Sequence, residues 1–136
     1  MIKIYIIILL LFLVIDLPVI LWLNKEMYSE QFDRINKCYS EDSNILYSIV
    51  GGAVAYLLLA FAIYYFVVMP EMETNISMMN LFIKGMLLGL IIYGIYNGTN
   101  IATIKQYSLK VSIIDTCWGA LLCGVLSVLS REVAKL

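Results

Sequence analysis

Four stretches of this chain stay apolar for about as long as a helix needs to cross the hydrocarbon of a bilayer, roughly twenty residues. They cover residues 4–23, 45–69, 79–96 and 109–129. The runs are continuous rather than alternating, and each is too long for a barrel strand, so helices are preferred over strands as the structure that satisfies the backbone in lipid. Composition agrees. Of 136 residues, 62% are hydrophobic and 14% charged, and a soluble domain of this size has too little interior to hide that much apolar surface. The expected architecture is all-α: one integral membrane domain, a four-helix antiparallel bundle that crosses the membrane several times. An even number of spans puts both termini on the same side. Membrane lipid is then the first partner.

The same composition removes several function classes. The net charge is -1, which offers nothing to nucleic acid. There is no histidine, so the usual neutral-pH acid/base group and the commonest metal ligand are missing. Cys38, Cys117 and Cys123 match no zinc or redox spacing. Cys117 and Cys123 lie in an apolar run and read as packing residues. No nucleophile elbow, phosphate loop or metalloprotease motif is present, so no cofactor or metal is expected. At the N-terminus Lys3 precedes a run of about twenty apolar residues, longer than the apolar region of a signal peptide. No small-x-small cleavage site follows, so this run reads as a retained first span.

Three connections join the spans. The first, residues 24–44, holds much of the charge. Within it Tyr28, Phe32, Ile35 and Tyr39 recur at helical spacing, with Lys25, Glu30, Asp33, Arg34 and Lys37 mainly elsewhere on the wheel. This predicts an amphipathic surface helix between the first two spans, with an irregular polar loop as the alternative, and it is the natural place for a protein partner. The second connection is short and acidic through Glu71 and Glu73, after Pro70 closes the second span. The third is also short, and short connections favour antiparallel neighbours. One side of the membrane collects Lys3, Lys84, Arg131 and Lys135, the other Lys25, Arg34, Lys37, Lys105 and Lys110. That near tie leans only slightly towards a cytoplasmic first connection.

Polar residues inside the spans locate the candidate site. Asp16 lies roughly 12 Å below Asn24, and Asp115 roughly 7–8 Å beyond Lys110, at 1.5 Å per residue. Both ends face the same side, as does the end of the third span, with Tyr93, Tyr96, Asn97, Thr99 and Asn100. Asp115, Trp118 and Gly119 share a face of the fourth helix. Gly85, Gly89, Tyr93 and Asn97 form one stripe of the third, whose Gly85-x-x-x-Gly89 pair is a pattern for close helix approach. Asn97-Gly-Thr-Asn100 either frays the helix or continues it as a polar end. Pro18 is expected to bend or loosen the first helix beside Asp16. A carboxyl in hydrocarbon is costly and faces a protein interior or a water-filled cavity. The two aspartates therefore make either a hydrogen-bonded clasp between helices, with Asn100 or Tyr93 as partner, or a polar pocket for a ligand headgroup, a proton or an ion. Asp16 and Asp115 are expected to point into the bundle, bridged by Asn97 or Asn100 with Tyr93 or Tyr96.

The run Tyr93-Gly-Ile-Tyr96-Asn-Gly-Thr99-Asn100-Ile-Ala102-Thr103, followed by Asp115-x-x-Trp118-Gly119, resembles the signature of the domain-of-unknown-function 2177 family, small predicted membrane proteins of bacteria, algae and large DNA viruses. The early Asp, the aromatic first connection and the Pro ending the second helix extend the resemblance over nearly the whole chain. It implies the fold and the site but no chemistry. The family often carries an acidic residue where this chain has Asn97, and Trp where it has Val19; Trp22 lies one turn later. The Ile-, Asn- and Lys-rich composition suggests an AT-rich genome, compatible with a virus. The first expectation is a non-enzymatic membrane protein, viral or cellular, acting through lipid or protein contacts at its connections. The alternative is a lipid-handling enzyme or small transporter, with Asp16, Asn97, Asn100 and Asp115 lining its site.

Overall fold

The computed structural model describes residues 2–23, 45–72, 74 and 76–134. The segment expected to form an amphipathic helix, 24–44, and Glu73 lie outside the described residues. Helix α1 is Ile2–Leu23, α2 is Ile45–Ala62, α3 is Met78–Thr103 and α4 is Leu109–Ala134. Among the described residues there is no strand, and all four helices are long and apolar enough to cross a membrane.

The helix ends follow local chemistry. Ser77 precedes α3 in extended conformation and its hydroxyl accepts the Asn80 N–H at 3.2 Å, which satisfies one of the free donors of a helix start. Ser108 acts similarly before α4, accepting from the Val111 N–H at 3.4 Å. α3 does not stop at Tyr96. It runs through Asn97–Asn100 to Thr103, because Asn97 is buried against α4 and the Thr99 and Thr103 hydroxyls bond back to carbonyls one turn earlier. α4 likewise runs beyond 129. Gln106, with φ 67°, turns the chain in the left-handed region between them. Pro18 sits inside an unbroken α1.

α2 changes pitch at its end. Ile63–Val68 forms a π turn, with the Met69 N–H bonded to the Tyr64 carbonyl five residues back. Wider winding turns two adjacent pairs inward, Ile63 with Tyr64 and Val67 with Val68, and all four are buried. A 3₁₀ turn, Met69–Glu71, carries Pro70 and ends the element.

α4 is the central helix. Half of its span is buried, against 17–28% for the others. It packs along α3 and also touches α1 and the π turn of α2. The core joins Ile8 and Phe12 of α1, Ala60, Ile63, Tyr64 and Val68 around the π turn, and Leu122, Cys123 and Leu126 of α4. The α3–α4 seam is notched by glycine. A Cβ on Gly85 would meet the Cys123 carbonyl oxygen at 2.6 Å and Gly124 Cα at 2.9 Å; one on Gly89 would meet Ala120 Cα at 2.9 Å. Backbones this close leave no room for a side chain. Cys123 is buried in this packing, but Cys117, expected to pack, is exposed.

Candidate functional site

Asp16 lies seven residues before the end of α1, about 10 Å along the helix, and is 2% exposed. Two neutral donors from two other helices meet it. The Trp118 indole Nε1–H donates to Oδ1 at 2.8 Å, and the Tyr56 hydroxyl bonds Oδ2 at 2.8 Å. Phe12, one turn earlier on α1, packs edge-on against the Tyr56 ring, with centroids 4.8 Å apart. An indole can only donate, so Oδ1 is fixed as an acceptor. Asp16 thus ties α1 to α2 and α4 at one level of the bundle.

Asp115 is half-buried and belongs to a second cluster. Asn97, 2% exposed, donates through Nδ2 to Asp115 Oδ2 at 2.7 Å, to the Tyr93 carbonyl at 3.0 Å and to Thr116 Oγ1 at 3.2 Å. Its Oδ1 accepts from the Tyr107 hydroxyl at 3.3 Å, which in turn accepts from Asn100 Nδ2 at 3.3 Å. The left-handed turn at Gln106 lets Tyr107, just outside the helices, fold back onto α3. Burial raises the Tyr107 phenol above its ordinary value.

Between the clusters stands Tyr93. Its ring lies against Gly119, where no Cβ would fit. Asn97 bonds Asp115 but not Asp16, so the expected single bridge is replaced by two adjoining networks, one across α1, α2 and α4 and one across α3 and α4. Thr99 does not join them, and Tyr96 reaches only the second, through its hydroxyl at Tyr107. Tyr96 is 56% exposed, and Thr99 is exposed with its hydroxyl on the Ile95 and Tyr96 carbonyls. Three further partners carry no mark in the sequence. Tyr56 lay in an unremarkable apolar run. Thr116 sits beside Asp115 with no pattern of its own to mark it as a partner of Asn97. Tyr107 is a lone tyrosine in a short connection, brought inward only by the turn at Gln106.

In the second connection the charge of Glu71 is met within the chain. Glu71 bonds Lys84 and accepts from Thr74 Oγ1 at 2.5 Å, and its side chain is 12% exposed. No group of histidine, cysteine and carboxylate residues that could hold a metal occurs among the described residues.

Four apolar helices around a polar centre define an integral, multi-pass membrane protein. The family model described as "Predicted membrane protein (DUF2177)" matches residues 1–131, and the chain belongs to that family. No curated protein and no solved structure matches it.

Proposed function

We propose that this is a non-enzymatic membrane protein whose polar centre is a clasp between helices, and which acts through contacts with lipid or with protein partners. The observation that carries this reading is occupancy. Both oxygens of Asp16 and both ends of the Asn97 amide are engaged by the protein's own groups. Among the described residues no buried side-chain polar atom of either cluster lacks a partner. A substrate site presents convergent polar groups to a cavity; here those groups face one another. A segment such as 24–44 would supply protein contacts, in a cellular or viral membrane.

One observation favours the alternative of a lipid-handling enzyme or transporter. Asn100, Tyr107 and Asp115 are partly exposed at one end of the bundle, as the mouth of a polar pocket would be. Reconstitution into vesicles loaded with a pH-sensitive dye separates the two. Proton entry should match protein-free vesicles, in the wild type and in Asp16→Asn alike. Flux above that background, lost in Asp16→Asn, would replace the clasp reading with transport.

A further inference from the structure

Phe12 of α1 and Tyr56 of α2 meet edge-on, with ring centroids 4.8 Å apart. Counting outward from that pair along two antiparallel helices brings Gly52 level with Asp16 and Ile49 level with Val19. Side-by-side packing would bury one face of α2 over these turns. Instead every residue from 49 to 55 is exposed, and so are Leu13, Val14, Leu17 and Pro18 of α1. A Cβ added to Gly51 or to Gly52 would meet nothing within 4 Å. Neighbours on a helix point about 100° apart, so two directions are open at once. Beyond the Phe12–Tyr56 contact, α1 and α2 stand apart.

The inner part of the same element is anchored. Ala60 is buried, and the π turn that follows buries Ile63, Tyr64, Val67 and Val68. Between the anchored and the bare parts, two hydroxyls tie α2 to α1. Tyr56 bonds Asp16 Oδ2 at 2.8 Å, and the Tyr5 hydroxyl donates to the exposed Leu57 carbonyl at 3.2 Å. A stretch with few buried contacts opens at lower cost than one buried throughout. In hydrocarbon a helix keeps its own backbone bonds, so this opening is a swing of the whole stretch and not an unwinding. The winding widens from α to π after Ala62, and such a change of pitch is a place where helices bend.

We infer that α2 ahead of the π turn is a movable arm, hinged where the winding changes and latched by the bond between Tyr56 and Asp16. With the latch made, Tyr56 covers Asp16 from the α2 side. With it released, the arm tilts towards lipid and uncovers Asp16 between α1 and α4, while Trp118 keeps its hold on Oδ1. The length of a tyrosine suits the latch, because it spans a gap that the backbones do not close. The arm deepens the reading of the polar centre as a clasp, and rests on it, by making α2 the jaw that moves.

The test is double electron–electron resonance on the whole protein in lipid nanodiscs. Spin labels go on Leu17→Cys and Val50→Cys for the outer pair, and on Ile6→Cys and Phe66→Cys for the inner pair, all at exposed positions. Cys38→Ser and Cys117→Ser remove competing thiols, and Cys123 is buried. Tyr56→Phe should raise the ratio of long to short outer-pair distances about fivefold, the scale of one net hydrogen bond. Adding Tyr5→Phe should raise it further. Asp16→Asn, which keeps a partner for the Tyr56 hydroxyl, should match the wild type. Asp16→Leu stands in if the tyrosine variants do not fold. The inner pair should hold one distance throughout. Outer-pair distances unchanged in the double variant, or an inner pair that shifts equally, would overturn the arm. Neither result bears on the proton-flux measurement, so the arm can fail while the clasp reading stands.

Discussion

Asp16 and Asp115 are the same residue, set at similar depth from the same end of the bundle, yet their surroundings differ. Asp16 is closed in by three helices and bonded by an indole and a phenol. Asp115 is half-buried on the α3–α4 seam and accepts from an amide whose other bonds reach a turn outside the helices. The first holds the fold together across its width, and the second finishes one seam near its mouth. Depth alone therefore does not assign the work of a carboxyl in a membrane. The number of helices that converge on it does.

The comparison breaks first at the α3–α4 seam, which the Asp115 network spans and the Asp16 network does not. Gly89→Leu should drive α3 away from α4, at a cost of about 3 kcal/mol, the upper range of overpacking. Thermal unfolding in detergent should show a large loss. Gly85→Leu should do the same, and unchanged stability in both would remove the close seam from the account. Trp118 fluorescence would then report whether the Asp16 network survives when the Asp115 network is pulled apart.

The next effect distinguishes the two carboxyls directly. Asp16→Leu strands the Trp118 and Tyr56 donors and should cost about 2 kcal/mol. Asp16→Asn keeps an acceptor for Trp118 and a donor for Tyr56, and should cost about half as much. Asp115→Leu should cost about 1 kcal/mol, because Asn97 retains the Tyr93 carbonyl and Thr116, and Asp115→Asn should be tolerated. Denaturation midpoints of the four variants test the ordering. Equal losses at both positions would make the two regions equivalent.

The smallest effect lies at the mouth. Burial holds the Tyr107 phenol above its ordinary value, so folding favours the neutral form that donates to Asn97. That contribution is complete below a pH of about 10 and fades as pH rises through the raised value. Tyr107→Phe should lower stability by about 0.5 kcal/mol at neutral pH. Its difference from wild type should shrink above about pH 10, read as unfolding temperature against pH. A constant difference would mean that the hydroxyl does not contribute through this bond.

Much of the architecture was legible because the bilayer imposes a length and a uniform polarity that a sequence displays openly. The spans, the Gly85–Gly89 seam and the burial of Asp16, Asn97 and Gly119 follow from run length and helical spacing. Tyr56 was not legible, since a tyrosine in an apolar run carries no sign of which carboxyl it will meet forty residues away. Nor was the outward turn of Tyr96 and Thr99. They neighbour Asn97 in sequence, but a helix advances about 100° per residue, and only the position of α4 decides which of them faces in.

Apolar run length and glycine spacing by themselves determined that the chain crosses a membrane as four helices, two of them tightly paired, because those constraints act within a single helix. Which partners each aspartate takes, that α4 is central, and that the polar residues form two networks rather than one were decided only in the tertiary structure. The reason is geometric. A hydrogen bond needs donor and acceptor within about 3 Å, and that distance depends on how separate helices rotate about their axes when they pack, which no local pattern records.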